Sequence, residues 1–204
     1  METLLYWTAL IAVSVNALTG VLDAGRKQMD LVGAVMIGTA TALGGGTVRD
    51  VLLDRKVFWI ADQTYLLVAI ATTLVVFFVV RGLKLPQRLF LIPDAIGLAL
   101  FTITGTQVAL EWQAPWLVAS LLGVTTGVVG GVLRDVQCNE VPLVFVRGEL
   151  YASAAWAGAL ALIGLQALGV APVIAAGAGM AIVLGARLAA MAFRITLPTY
   201  TERQ

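Results

Sequence analysis

Gly44-Gly45-Gly46-Thr47-Val48-Arg49-Asp50-Val51 ends a long apolar run, and the chain writes the pattern again as Gly130-Gly131-Val132-Leu133-Arg134-Asp135-Val136. In both copies adjacent glycines are followed, at the same spacing, by an Arg-Asp pair. The offset of 85 positions from Gly45 to Gly130 also carries Thr19-Gly20 onto Thr104-Gly105, Gly38 onto Gly123 and Thr41 onto Thr126. A fixed offset of that kind is the mark of an internal repeat. Each interior glycine costs a helix roughly 1 kcal/mol relative to alanine, so both sites need bare backbone.

Composition sets the surroundings of that repeat. The 204 residues are 60% hydrophobic and 12% charged, with a mean hydropathy of +0.94. Soluble domains carry about a quarter charged residues, so this chain belongs to the membrane class. A net charge of +1 makes no electrostatic case for nucleic acid. There is no histidine, and Cys138 is the single cysteine. Zinc sites, disulfides and histidine acid/base chemistry are therefore poor readings, and no cofactor is expected.

A spanning helix needs about 20 mostly apolar residues. Candidate spans run Leu4–Leu22, Leu31–Val48, Gln63–Val80, Ala95–Leu110 and Trp116–Leu133. The uncharged run Leu150–Ala186 is too long for one crossing, and Gly169 and Pro172 divide it into a sixth and a seventh span, the last ending near Phe193. Without a basic n-region, the first run reads as a retained span rather than a signal peptide. The expectation is an all-α integral membrane protein of seven helices forming one transmembrane domain over 1–204. Repeat one covers about 4–81, repeat two about 89–169, and an added helix about 172–193.

On alternating sides, Arg26, Lys27, Arg81, Lys84, Arg88, Arg134, Arg147, Arg187, Arg194 and Arg203 share one face, whereas Arg49, Arg55 and Lys56 share the other. The positive-inside rule then puts the C-terminus in the cytoplasm and the N-terminus outside. Three spans per repeat is an odd number, so the halves must insert with opposite topology. Many transport proteins follow that plan, with sites near the midplane at interrupted helices.

At about 1.5 Å per residue, Gly45 lies roughly 20 Å along its span and Gly130 about as far along its own. Broken helices there would expose carbonyls that only protein or water can satisfy, and such carbonyls suit a cation. Gly44, Gly45, Gly46, Gly130 and Gly131 are the candidate breaks. Thr41, Thr126, Ser120 and Asn16 are candidate lining groups, although single hydroxyls in spans usually bond back to their own helix. Arg49 with Asp50 and Arg134 with Asp135 read either as interfacial anchors that snorkel or as ion pairs gating the broken helix. Asp94, after Pro93, reads as an N-cap.

Seven spans, the three-plus-three repeat and the duplicated GGxxRD pattern resemble the prokaryotic trimeric intracellular cation (TRIC) channel family, over about Leu4 to Phe193. The resemblance implies a homotrimer in the bilayer of the inner membrane, with a pore in each protomer. It further implies conduction of monovalent cations, chiefly potassium but also sodium, past kinked second and fifth spans at the glycines named above. Animal members carry a Lys-Glu-Val signature tied to phosphoinositide binding. The nearest match here is Asn139-Glu140-Val141, so that regulation does not transfer. Prokaryotic members have also been labelled glycine transporters, and a secondary transporter of a small zwitterion is the alternative. Proton coupling usually needs a mid-span carboxylate, and Leu31–Val48 and Ala95–Leu110 have none, which favours the channel. A membrane enzyme is not expected, because the carboxylates cluster at span ends.

Overall fold

Small side chains decide how these helices pack. In the computed structural model, residues 2–83, 86, 89–146, 150–193 and 195–196 are described. Lys84, Arg88, Arg147, Arg194 and Arg203, used above to assign orientation, lie outside them. The described residues form α1 (Glu2–Arg26), α2 (Leu31–Leu52), α3 (Phe58–Ala61), α4 (Thr64–Val80), α5 (Leu91–Glu111), α6 (Trp116–Gln137), α7 (Ala152–Ala167) and α8 (Pro172–Phe193). A single 3₁₀ turn spans Leu143–Phe145. Among the described residues there is no strand.

The chain is a multi-pass membrane protein. α1, α2, α5, α6 and α8 are long and apolar enough to cross a bilayer. The apolar helices α4 and α7 have 17 and 16 residues, short of a full crossing unless the bilayer thins or flanking residues reach outward. Trp7, Met36, Leu67, Phe78 and Leu121 stay exposed, whereas the buried positions are rich in Ala, Gly and Thr. Tight helix contacts lined by small residues are the usual solution where lipid removes the hydrophobic drive to associate.

The repeat is visible atom by atom. α1 packs on α2 and α4 as α5 packs on α6 and α7, while α8 joins α5 and α7. The turn before α2 places Gln28 at φ 55°, and the turn before α6 places Gln113 at φ 58°. Just past the same two helices, Asp54 and Asn139 take φ 50° and 55°. The C-termini close alike: Leu53 N–H donates to Arg49 O at 3.0 Å and Cys138 N–H to Arg134 O at 2.9 Å. Asp30 caps α2 by accepting the Gly33 N–H at 2.8 Å, and Gly169, at φ 79°, turns α7 into α8.

α2 and α6 cross in antiparallel fashion. Lys27, in the turn before α2, forms an ion pair with Glu140 beyond the end of α6. Arg55, beyond the end of α2, lies 4.7 Å over the ring of Trp112, in the turn before α6. These two contacts occupy equivalent places in the two repeats, with different chemistry.

Three expectations need correction. Neither α2 nor α6 is broken: helix runs uninterrupted through Gly44, Gly45 and Gly46 and through Gly130 and Gly131. The glycines instead admit a neighbouring helix. A Cβ on Gly45 would collide with the Thr126 carbonyl, and one on Gly130 with the Thr41 carbonyl. The first helix does not end at Leu22 but runs on to Arg26, and Asp23, outside the expected span, is buried in its last turn. Asp94 is not the N-cap of α5, which begins at Leu91; it is buried and bound to residues of other helices.

Candidate functional site

Two Arg-Asp pairs sit at opposite ends of the α2–α6 crossing, and their local geometry is nearly identical. Arg49 Nε donates to Asp50 Oδ1 at 2.8 Å, and Arg134 Nε to Asp135 Oδ1 at 2.9 Å. The other carboxylate oxygen accepts a backbone N–H eight residues on, from Phe58 in one repeat and Leu143 in the other, each at 2.8 Å. Each Asp thereby holds its Arg and pins the segment that follows its helix. Neither arginine snorkels, since Arg49 and Arg134 are both buried.

Beyond the pair, the two ends part company. Arg134 is fully buried and donates through Nη1 to Asp94 Oδ1 at 2.6 Å. Its Nε also lies 3.7 Å from Asp23 Oδ2, and Phe90 covers the guanidinium with the ring centroid 4.9 Å from Cζ. Tyr151 donates to Asp94 at 3.3 Å and carries Arg187 over its ring at 4.7 Å. Asp23 shares its charge with Arg26 at 2.7 Å. This end is an ionic lock joining α1, α5, α6 and the start of α7.

At the other end of the crossing, the 85-residue offset puts Ala9 where the lock has Asp94, Val108 where it has Asp23, and Leu5 where it has Phe90. All three line a cavity of about 220 Å³, together with Gly46, Arg49, Arg55, Tyr65 and Glu111. Space filled by two carboxylates and an aromatic ring at one end is thus open at the other. Among the described residues Arg49 has one carboxylate partner, Asp50, whose Oδ1 also lies 3.6 Å from Arg55 Nε, and the Phe58 ring stands 5.8 Å from its guanidinium.

The remaining candidates fall into two groups. Thr41 and Thr126 are buried at the crossing and donate to their own helices, at Ile37 O and Leu122 O, both at 2.6 Å. Ser120 donates to Leu117 O and accepts the Trp156 indole N–H at 3.0 Å. Asn16 donates to Ala12 O at 2.9 Å and packs where a Cβ on Gly97 would stand. Gly44 faces Leu133 and Gly46 faces Phe58, while Gly131 lies under the Tyr151 hydroxyl. Gly44, Gly45, Gly130, Thr41 and Thr126 therefore meet at one crossing, whereas Gly46 and Gly131 face Phe58 and Tyr151, Ser120 bonds to Trp156 and Asn16 lies against Gly97. Asp23 and Asp94 escaped the sequence reading because each borders an apolar run, where caps and loops are common. An ionisable residue at such an edge deserves a search for its partner.

Cys138 offers a probe of the lock. Burial, and after it the nearby negative charge of Asp23, push its thiol up to about 12. The thiolate is the reactive form, so maleimide labelling at neutral pH is expected to be very slow and to rise with pH. Substituting Asp94 by Asn is expected to speed labelling at fixed pH if the lock loosens, which mass spectrometry of the adduct would measure.

Comparisons with known proteins place the chain in a family. A family model described as "Glycine transporter" matches residues 6–81 and again 91–167. The inner membrane protein YadS of Escherichia coli strain K12 is 39% identical over 200 residues, covering 97% of this chain and 96% of that protein. The crystal structure of the TRIC trimeric intracellular cation channel orthologue from Rhodobacter sphaeroides is 36% identical with a TM-score of 0.90. It covers 95% of this chain and all of that one. A second solved structure, concerned with conductance through TRIC cation channels, is 31% identical with a TM-score of 0.84, covering 97% of both chains. These relatives are membrane proteins and channels rather than enzymes. The doubled family match, the identity along almost the whole chain and the shared fold make this chain a prokaryotic member of the TRIC channel family, which the glycine-transporter model also describes.

Proposed function

We propose that the chain forms a cation channel of potassium type, a homotrimer in the inner membrane with one path per protomer. In this reading all seven long helices cross the bilayer, and the Arg134 end faces the cytoplasm with the C-terminus. The path runs beside the α2–α6 crossing, at Gly44, Gly45, Gly46, Gly130 and Gly131, and would reach their backbone once Leu133, Phe58 and Tyr151 move off them. Bending of α2 and α6 at these glycines, with Thr41 and Thr126 beside them, would widen it. Carbonyl oxygens can replace part of a monovalent cation's hydration shell. The trimer and the cation come from the solved relatives' descriptions as trimeric cation channels.

One observation carries the choice of a channel over a carrier: among the described residues, three carboxylates converge on Arg134 and one on Arg49. A carrier working by alternating access must close each end in turn. Here Ala9 and Val108 stand in place of the second pair of lock carboxylates, so the Arg49 end has no matching closure. A pore with one gate needs none. Arg134 with Asp94, Asp23 and Asp135 would be that gate, and Arg49 with Asp50 the fixed anchor of the open end.

The carrier reading keeps one point in its favour, the family model's own description. Recording from the purified protein in planar bilayers under a potassium chloride gradient separates the two. Unitary currents reversing near the potassium potential are expected. A silent bilayer, with glycine uptake into vesicles made from the same preparation, would decide for the carrier.

A further inference from the structure

The cavity at the Arg49 end carries two guanidinium groups and one carboxylate, that of Glu111, on its wall. Two guanidinium groups, of Arg49 and Arg55, share the single carboxylate of Asp50, and both groups line the cavity. Arg49 is only 6% exposed. Its Nε and Nη2 both lie on Asp50 Oδ1, while its Nη1 makes no hydrogen bond among the described residues. At the equivalent place in the other repeat, the Nη1 of Arg134 is held by Asp94. The cavity therefore stands where a carboxylate completes the other arginine. Arg49 already has its pair in Asp50, and a second carboxylate supplied from solution would add the charge-assisted bond that Asp94 gives Arg134.

We infer that this cavity is a binding site for a small carboxylate-bearing solute, whose carboxylate takes on Arg49 the place that the Asp94 side chain takes on Arg134. Arginine suits the task because its planar fork matches both carboxylate oxygens. Arg55, stacked on Trp112 at 4.7 Å, supplies the second positive charge at the same wall. The volume of about 220 Å³ is below the roughly 300–1,000 Å³ of drug-sized sites, so it selects small solutes. Tyr6, Tyr65 and Thr104 add hydroxyls to an otherwise apolar lining of Leu5, Ala9, Phe58 and Val108. Glu111 lines the cavity too and has no ion pair among the described residues. It would receive the ammonium group if the solute is an amino-acid zwitterion. The site does not depend on the channel reading, because it uses the cavity and Arg49 alone.

The test is thermal unfolding of the purified full-length protein in detergent, titrated with acetate, with glycine, and with chloride at equal ionic strength. Acetate, glycine or both are expected to raise the melting temperature saturably, beyond the effect of chloride. Arg49→Gln is expected to weaken that binding by about tenfold or more, the worth of a charge-assisted hydrogen bond. Because Arg49→Gln also disturbs Asp50, Ala9→Leu provides a second test; it fills the cavity, leaves every charge in place, and should abolish the shift. Glu111→Gln sorts the solutes. Loss of the glycine effect with the acetate effect intact identifies a zwitterion site, and equal retention of both identifies a plain carboxylate site. A shift no larger than that of chloride, or one unchanged in both Arg49→Gln and Ala9→Leu, overturns the proposal. Absence of potassium current with the shift intact would defeat the channel reading and leave this site standing.

Discussion

Gly45→Ala and Gly130→Ala are each expected to destabilise the protein by about 1–3 kcal/mol or more, as overpacking of a tight contact does. The added methyl group has nowhere to go. At Gly45 it meets the carbonyl of Thr126 and at Gly130 the carbonyl of Thr41. Both are backbone atoms inside helices, and neither can swing aside as a side chain would. Relief requires the two helices to separate along the crossing, which also loosens the packing of Thr41 against Gly20 and of Thr126 against Gly105. Gly164→Ala and Gly177→Ala are the controls, since a Cβ at either position meets nothing within 4 Å. They should be neutral or should gain up to about 1 kcal/mol of helix propensity. Thermal unfolding of the four variants in one detergent provides the comparison, and equal melting temperatures across the set would mean that the crossing is not close-packed.

Arg134→Met is expected to cost about 3–5 kcal/mol, the usual penalty for removing one partner from a buried ion pair. Here the penalty falls at the upper end because three carboxylates, Asp23, Asp94 and Asp135, converge on that one guanidinium. Arg26 can still hold Asp23, but Asp94 would keep only its bond from Tyr151. Asp94→Asn is the gentler probe, for it preserves shape and an acceptor oxygen while removing the charge. A smaller loss of stability is expected there, with a raised open probability in bilayer recordings. If Asp94→Asn left the open probability at the wild-type level, the gate would have to lie elsewhere. Arg49→Met should cost less than Arg134→Met in the same assay, because it leaves a single carboxylate, Asp50, and Arg55 remains beside it.

Much of the architecture was legible in the sequence, for a physical reason. Long apolar runs, the punctuation at Gly169 and Pro172 and the 85-residue offset report on local and covalent facts that solvent enforces. The paired glycines were read as helix breaks, and both helices run through them unbroken. A glycine makes a helix easier to break and easier to approach, and only the neighbour's position decides between these. Residues 45 and 126 meet from different repeats, so nothing near either one records the contact. The lock failed to appear for a similar reason. Asp23 and Asp94 sit where polar residues commonly end or start a helix, and their meeting with Arg134 depends on how α1, α5 and α6 pack. The Arg-Asp pairs, adjacent in sequence, were visible at once, yet their unequal surroundings were not.

Those unequal surroundings give the molecule a front and a back. Two identical halves inserted head to tail would make an object that is the same from either side of the bilayer, and inverting it would change nothing. Three exchanges between the halves, at positions 5 and 90, 9 and 94, and 23 and 108, remove that equivalence at the crossing, and α8, which stands outside the repeat, removes it in the frame. Direction is therefore written twice, once in a few side chains and once in an added helix.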